Sequence, residues 1–174
     1  TVVKRIMEKY SDSYALSISM TTRSPRVGEK DGEHYFFVSR EQFEKTIAEN
    51  GLIEHAQYCG NYYGTPKDYV EKQLAAGKNV ILEIEIQGAL IVKEKNPETL
   101  LMFVTPPSAK ELKTRLVGRG TETMEQIEAR MKRAIDEAPI MDKYDYIVIN
   151  DEVENCVDKI HELVDAAKHS ADSN

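Results

Sequence analysis

The sequence has no tryptophan, only two cysteines and only four histidines among its 174 residues. Cys59 and Cys156 lie far apart and form neither a CxxC redox motif nor a zinc-ligand spacing. We therefore expect two reduced thiols and a cytoplasmic protein. Because the histidines are scattered along the chain, we expect no metal site built by the protein itself.

The sequence also lacks a long hydrophobic run and an excess of positive charge. No apolar stretch approaches the ~20 residues that span a membrane, so we expect no membrane partner. The net charge of -7 and the pI near 5.2 argue against a nucleic-acid partner, whose binding requires many phosphates to be neutralised. A site for an anion must instead be a local concentration of arginine, which makes the position of each arginine informative.

Short apolar segments alternate with helical patterns along the chain, which predicts an α/β fold with a mainly parallel sheet. Helices are predicted for the opening residues and after Ser39, Thr65, Ser108, Thr123 and Asp151. The predicted strands are YALSIS, EHYFFVS, NVILEIEIQG, LLMFVTPP and YDYIVIND. NVILEIEIQG has the strongest strand pattern. Ligands of such sheets bind beyond the carboxyl ends of the strands.

The stretch SMTTRSPRVGEKDGEHYFF, residues 19–37, combines two arginines with hydroxyl groups and tight turns. A proline stiffens the backbone between Arg23 and Arg26, so the two guanidinium groups could hold one phosphate. Tyr35 could add a hydroxyl donor. The alternative is a solvated loop in which the arginines pair with Glu29, Asp31 or Glu33.

The stretch IEHAQYCGNYYGT places a carboxylate, Glu54, in an apolar setting, where it requires a partner or a ligand. Guanine presents two adjacent N–H donors beside one acceptor, so a carboxylate and a hydroxyl together complement its edge. Ser19 and Thr65 are candidates for the hydroxyl. The alternative is that Glu54 pairs with a lysine or arginine and that the nearby tyrosines only pack. The same reasoning applies to Glu85 in the strongest predicted strand.

The stretch KTRLVGRGTETMEQIEARMKR predicts two helices joined by a turn and rich in arginine. The arginines are Arg115, Arg119, Arg130 and Arg133. Such a pair of helices could act as a lid over a polyphosphate. The alternative is a solvated face whose arginines pair with Glu122, Glu125 and Glu128.

Together these stretches make the sequence similar to the guanylate kinase family, whose members transfer a phosphoryl group from ATP to GMP. The matching stretches are TTRSPRVGEKDGEHYFF, IEHAQYCGNYYGT, ILEIEIQG, LVGRGTE and IVIND, and they cover nearly the whole chain. The resemblance implies a P-loop-type, three-layer α/β fold with a small insert and a helical lid. The insert that binds GMP would be residues 19–65, the lid 108–133, and the core 1–18, 66–107 and 134–174.

The resemblance also implies a role for individual residues. The GMP phosphate would be held by Arg23, Arg26, Tyr35 and Tyr63, with Arg26 also catalytic. The guanine would be read by Ser19, Glu54, Thr65 and Glu85, and Glu83 would also bind GMP. Glu83 and Glu85 stand where the family often has aspartates. Their charge is the same, but their side chains are longer and reach further. Mg²⁺ would arrive bound to ATP.

On the ATP side, the resemblance makes Arg115, Arg119 and Arg130 catalytic lid residues that stabilise charge on the transferring phosphoryl group. Arg119, Arg130 and Asn150 would contact ATP, with Asn150 near the adenine. The substrates implied are therefore ATP and GMP, while the sequence does not indicate an oligomeric state.

The family's phosphate-binding loop, G-x-x-x-x-G-K-[ST], does not occur in the 174 residues. Gly77-Lys78 is the single Gly-Lys pair, and it lacks the rest of the motif. We therefore expect that the first strand and this loop are missing and that the chain as given is inactive. A non-catalytic guanylate-kinase-like module that binds phosphopeptides is the alternative function, although such a module has no need of the lid arginines.

Overall fold

The computed structural model describes residues 1–120 and 123–171. The helices are α1 Val2–Lys9, α2 Arg40–Ala48, α3 Lys67–Ala75, α4 Ile86–Lys95, α5 Ala109–Arg119, α6 Met124–Glu137 and α7 Val153–Ala171, with a 3-10 helix at Ala138–Lys143. The strands are β1 Tyr14–Leu16, β2 Met20–Thr21, β3 Phe36–Phe37, β4 Leu52–Tyr58, β5 Asn61–Pro66, β6 Asn79–Ile81, β7 Met102–Thr105 and β8 Tyr146–Ile149.

The chain forms two compact units. The N-terminal unit is Ile6–Pro97, and the C-terminal unit combines Thr1–Arg5 with Glu98–Asn174. Every residue predicted to bind GMP belongs to the N-terminal unit, and every residue predicted to bind ATP belongs to the C-terminal unit. Within the described ranges, no helix has both the length and the apolar character that crossing a membrane requires.

The N-terminal unit contains a parallel pair, β1 with β6, and a four-stranded sheet in the order β3-β2-β5-β4. Strands β4 and β5 form an antiparallel hairpin whose turn, Cys59 and Gly60, has φ values of 49° and 78°. Two successive positive φ values match the twist of the flanking strands in a two-residue hairpin. Phe43, Leu52 and Thr65 lie in the core of this unit, each no more than 5% exposed.

The C-terminal unit contains the parallel pair β7 and β8, and the helices α5 and α6. Helix α5 is capped by Ser108, whose hydroxyl accepts from the Glu111 N–H. Thr123 and Gln126 form a complete capping box at the start of α6. The capping predictions for these two helices are confirmed. Thr121 and Glu122, which lie in the predicted turn between the helices, are outside the described residues, as is the tail from residue 172.

The prediction for NVILEIEIQG is wrong beyond its third residue. Strand β6 ends at Ile81, residues 82–85 are irregular, and helix α4 begins at Ile86. The strand stops because its partner β1 stops, with Leu16 paired to Ile81 in the last register position. Glu83 and Glu85 are therefore exposed residues of a connecting segment and do not lie in a core strand.

The four other predicted strands are also shorter than their sequence patterns. YALSIS forms a strand over Tyr14–Leu16, EHYFFVS over Phe36–Phe37, LLMFVTPP over Met102–Thr105 and YDYIVIND over Tyr146–Ile149. Both Cys59 and Cys156 are free thiols, which confirms the prediction that neither forms a disulfide.

Among the described strand pairings, β1–β6, β2–β3 and β7–β8 are parallel, while β2–β5 and β4–β5 are antiparallel.

Candidate functional site

Arg23 is held by the carboxylate of Glu29 on one side of the N-terminal unit. Its Nη1 and Nη2 atoms donate to the two oxygens of Glu29, each at 2.9 Å, and Nη1 also donates to the Ser24 carbonyl at 2.8 Å. The side chains of Arg23 and Glu29 are only 16% and 18% exposed. The hydrogen bond from Arg23 is the main reason that the pKa of Glu29 falls to about 2, and the N–H of Arg26 adds to it.

The backbone between Arg26 and Glu29 is a tight turn. The Glu29 N–H donates to the Arg26 carbonyl at 3.0 Å, and the Arg26 N–H donates to a Glu29 carboxylate oxygen at 2.7 Å. Gly28 has a φ of 87° at the third position, where a type II turn requires a positive value. The guanidinium of Arg26 is exposed beside this turn. The structure thus combines the predicted pair of arginines with the Glu29 pairing that was the alternative.

Aromatic side chains surround Arg23 and come from separate parts of the chain. The guanidinium carbon lies 5.4 Å from the ring centre of Tyr35 and 5.7 Å from that of Phe37. The ring of Tyr63 meets that of Tyr35 edge-on at 6.2 Å. The pKa of Arg23 is raised, mainly by its hydrogen bonds to Glu29, and Tyr63 adds to this shift. Tyr35 thus contacts both Arg23 and Tyr63, and Arg26 follows Arg23 in the same stretch.

Glu54 is a buried carboxylate that is hydrogen-bonded to a hydroxyl. The Thr65 hydroxyl donates to Glu54 Oε1 at 2.7 Å, and the two residues are 5% and 0% exposed. Burial raises the pKa of Glu54, and the bond from Thr65 opposes this shift in part. Lys95, a cation on α4, donates instead to the Ile53 carbonyl at 3.0 Å. The side chain of Glu54 is aimed inward at a register shift of β4, between Leu52 and His55.

Helix α4 approaches this carboxylate closely through a glycine. A Cβ atom on Gly88 would lie 2.9 Å from Glu54 Oε2 and 3.3 Å from its carboxyl carbon. Real Cβ atoms essentially never come so close to another atom, so a side chain at this position would displace the carboxylate or the helix. No local sequence pattern indicates this role, because the contact joins two residues far apart in the chain.

The other residues predicted to read the guanine lie in the same unit. Ser19 is half-buried next to β2, and its carbonyl accepts from the Phe36 N–H at 2.8 Å. Glu83 and Glu85 are exposed, and Glu85 lies at the N-cap position of α4 without a side-chain capping bond. Of the predicted guanine-reading residues, Glu54 and Thr65 are joined by a hydrogen bond.

Arg115 binds backbone oxygens at the end of β8. Its Nη1 donates to the Asn150 carbonyl at 2.8 Å, and its Nη2 donates to the Asp151 carbonyl at 3.0 Å. Its Nε pairs with Glu111 at 2.8 Å, one turn earlier on α5. In this arrangement Arg115 fixes the loop that carries Asn150, a role that the sequence pattern did not indicate.

The loop fixed by Arg115 presents a polar side chain. The Asn150 N–H donates to the Thr105 carbonyl at 2.8 Å, so both backbone groups of this residue are bonded. Its side-chain Oδ1 is buried and has no hydrogen-bond partner. Buried oxygens are normally bonded, so this atom is an acceptor whose hydrogen-bonding capacity is unused.

The two remaining arginines of the predicted lid are exposed. Arg119 lies in the last turn of α5 and Arg130 lies on α6. The two helices contact each other within the C-terminal unit. On the same helix as Arg130, Arg133 pairs with Glu137 at 2.6 Å. Among residues 1–120 and 123–171, no group of three or more His, Cys, Asp or Glu side chains could hold a metal ion.

Comparisons with known proteins agree on one family. The family model described as "Guanylate kinase" matches residues 1–167. The chain is 51% identical over 172 residues to the guanylate kinase of Clostridium perfringens (strain 13 / Type A), covering 99% of this chain and 79% of the relative. It is 55% identical over 164 residues to the guanylate kinase of Bacillus subtilis (strain 168), covering 94% of this chain and 80% of the relative.

A solved structure has the same fold. The crystal structure of guanylate kinase from Anaplasma phagocytophilum matches with a TM-score of 0.73 and 33% identity, covering 95% of this chain and 79% of that one. This likeness confirms the predicted α/β fold of the P-loop type. With the family match along residues 1–167 and relatives more than half identical, the chain belongs to the guanylate kinase family.

Proposed function

We propose that the protein transfers the γ-phosphoryl group of ATP to GMP, producing ADP and GDP. The observation that carries this proposal is the buried Glu54–Thr65 pair in the same unit as the Arg23 cluster. The Glu54–Thr65 pair offers hydrogen-bond acceptors in a desolvated setting, and the region around Arg23 offers cationic and hydroxyl donors. A nucleoside monophosphate whose base has two adjacent N–H donors satisfies both, and GMP is such a molecule.

Guanine recognition follows from the proton positions of the Glu54–Thr65 pair. The single hydroxyl proton of Thr65 is donated to Glu54, so Thr65 can offer the base only an acceptor. The carboxylate of Glu54 then accepts from N1–H and N2–H of guanine. The O6 atom requires a donor, and the hydroxyl of Ser19 is the candidate. Adenine would leave the buried carboxylate without donors and would be rejected.

Phosphate binding is assigned to Arg23, Arg26, Tyr35 and Tyr63. The first three belong to the turn-rich stretch after β2, and Tyr63 belongs to β5. Guanidinium groups suit a phosphate because they offer paired donors in a fixed plane. Glu83 and Glu85 are exposed on residues 82–85, from which their longer side chains could reach the base or waters around it. We keep residues 19–65 as the proposed GMP-binding insert.

Transfer of the phosphoryl group proceeds in line and without a covalent enzyme intermediate. Its transition state is loose, so catalysis rests on positioning and on neutralising charge. Arg119 and Arg130 are exposed arginines of the proposed lid, residues 108–133, and are assigned to this task, with Arg26 on the acceptor phosphate. Mg²⁺, held mainly by the nucleotide phosphates and waters, would neutralise charge on ATP. Asn150 Oδ1 is assigned to the adenine amino group.

The test is an assay of the protein with ATP, GMP and Mg²⁺ that measures ADP and GDP together. We expect GDP to form only when both nucleotides are present, and a chelator to stop the reaction. Binding of a phosphoserine peptide without any turnover would favour the non-catalytic module instead. The comparisons do not confirm the expectation that the 174-residue chain alone is inactive, and GDP formation by this chain alone would contradict that expectation.

Substitutions of two arginines test the catalytic role proposed for the lid. Arg119→Ala or Arg130→Ala should lower kcat by ~10³, by analogy with arginine fingers that stabilise the transferring group. Lys132→Ala on the same helix as Arg130 removes an exposed positive charge and serves as the control, with turnover within about twofold of the parent. Normal turnover in both arginine variants would leave these residues as a solvated face.

A further inference from the structure

We infer that Glu29 is a positioning residue of the phosphate site, holding Arg23 in the orientation that binds the phosphate of GMP. This inference rests on the proposed function and deepens it. Glu29 itself would not touch the substrate. It would act through the guanidinium of Arg23 and through the backbone of Arg26.

The donors of Arg23 are divided between two edges of its guanidinium. An arginine has five N–H groups. Glu29 and the Ser24 carbonyl take three of them, both on Nη1 and one on Nη2. The two others, on Nε and Nη2, lie side by side on the second edge of the plane. This second edge can form a bidentate pair with a phosphate while the first stays bonded to Glu29.

Aromatic rings lie against the guanidinium of Arg23. The Tyr35 ring lies 5.4 Å from the guanidinium carbon, and the Tyr63 ring meets that of Tyr35 edge-on at 6.2 Å. Two aromatic rings restrict the plane, and the carboxylate fixes its rotation within that plane. A long, flexible side chain is thereby prepared in one orientation before the substrate arrives. Binding then loses less conformational entropy.

Glu29 also couples the two arginines through the turn. One of its oxygens accepts from the Arg26 N–H at 2.7 Å, and its own N–H donates to the Arg26 carbonyl at 3.0 Å. The carboxylate therefore connects the side chain of Arg23 to the backbone that carries Arg26. Since the pKa of Glu29 is about 2, this connection stays ionised throughout the neutral range.

The opposing view is that Glu29 competes with the phosphate for Arg23. A competitor would occupy the donors that the substrate needs, and its removal would tighten binding. The bonding pattern favours positioning, because Glu29 occupies one edge of the guanidinium and leaves the paired donors of the other edge. The two views predict opposite changes in the affinity for GMP.

The experiment measures the dissociation constants of GMP and guanosine by calorimetry for the parent protein and its Glu29→Gln variant. The amide keeps the size of the side chain but replaces one acceptor by a donor that opposes Arg23. We expect the Kd for GMP to rise about tenfold or more, and the Kd for guanosine, which has no phosphate, to stay within twofold. In turnover, KM for GMP should rise with little change in kcat.

Glu33→Gln is the matched control, since it removes the same charge from the same stretch. The side chain of Glu33 pairs with Lys30 at 3.3 Å, is 61% exposed, and forms no bond to Arg23 or Arg26. Its Kd for GMP should equal that of the parent. Should Glu29→Gln not melt cooperatively, Glu29→Asp replaces it, and its Kd for GMP should exceed that of the parent.

The outcomes separate the inference from the function on which it rests. If the parent binds GMP no better than guanosine, the proposed phosphate site is wrong. If the parent prefers GMP and the Glu29 variant binds GMP equally well or more tightly, the positioning role alone is overturned. A loss of affinity that is equal for GMP and guanosine would likewise overturn it.

Discussion

Replacing Glu54 by glutamine separates the function of the site from the stability of the fold. In the variant, one carboxylate oxygen becomes an NH₂ group. The oxygen bonded to Thr65 is kept by the hydroxyl that donates to it, so the NH₂ group takes the place of Oε2 beside Gly88. A guanine in the site would then meet a donor where it requires an acceptor.

The expected cost in recognition follows from the loss of a desolvated hydrogen bond. An opposed buried donor costs about 2–4 kcal/mol, which corresponds to a fall of ~30- to 1,000-fold in kcat/KM for GMP. Since Glu54 is only 5% exposed, water cannot relieve the opposed pair. The fall in kcat/KM should appear mainly as a higher KM for GMP, because the base is bound in both the ground and the transition state.

The same substitution should stabilise the folded protein. Burial raises the pKa of Glu54 from its ordinary 4.5, so the carboxyl group favours folding below that value. This contribution is lost as the pH rises through the raised pKa, and at pH 7 the ionised group opposes folding. Removing a destabilising functional group typically adds about 0.5–2 kcal/mol. For a chain of this size, each kcal/mol raises Tm by about 2–4 °C.

The assay compares kcat/KM and Tm of the parent, Glu54→Gln and a control, Glu71→Gln. Glu71 is an exposed carboxylate that pairs with Lys67 at 3.8 Å on α3, so its replacement should change neither quantity much. The Tm difference between the parent and Glu54→Gln should grow as the pH rises through the raised pKa. Unchanged turnover with GMP would refute the guanine-reading role, and a lower Tm at pH 7 would refute the desolvation argument.

Three further substitutions test other contacts. Gly88→Ala should raise KM for GMP about tenfold by displacing the guanine-reading carboxylate, whereas Gly118→Ala, with open space around its Cβ position, should not. Arg115→Ala should cost about 1–3 kcal/mol in unfolding free energy and weaken ATP binding, because the Asn150 loop loses its anchor, as urea titration and calorimetry would show. Glu29 stabilises the fold above its ordinary pKa of 4.5 and loses this effect as the pH falls to about 2, so the difference in urea midpoint between parent and Glu29→Gln should vanish near pH 2.

Local features of the fold could be predicted from the sequence. Ser39, Ser108 and Thr123 were recognised as helix caps, and each accepts from the N–H three residues later. A cap depends on neighbours within one turn, which a sequence displays directly. Strand length depends on a partner elsewhere in the chain, so the pattern of NVILEIEIQG predicts a longer strand than β6 and does not indicate the start of helix α4 at Ile86.

In the candidate site, too, local features could be predicted from the sequence and contacts between distant residues could not. The sequence indicated that Glu54 would be buried and that a hydroxyl such as Thr65 would accompany it, and the structure joins the two at 2.7 Å. The close approach of Gly88 to that carboxylate depends on how α4 packs against β4, which no local pattern contains. The pairing of Arg23 with Glu29 was one of several open alternatives, because three carboxylates follow within a few residues.

The most direct test of the account is a crystal structure of the protein with GMP bound. We predict that Glu54 accepts from N1–H and N2–H of the guanine while still bonded to Thr65. We also predict that the phosphate lies on the Nε–Nη2 edge of Arg23, with Glu29 still on the opposite edge. A base placed away from Glu54, or a phosphate that has displaced Glu29 from Arg23, would contradict this assignment of the site.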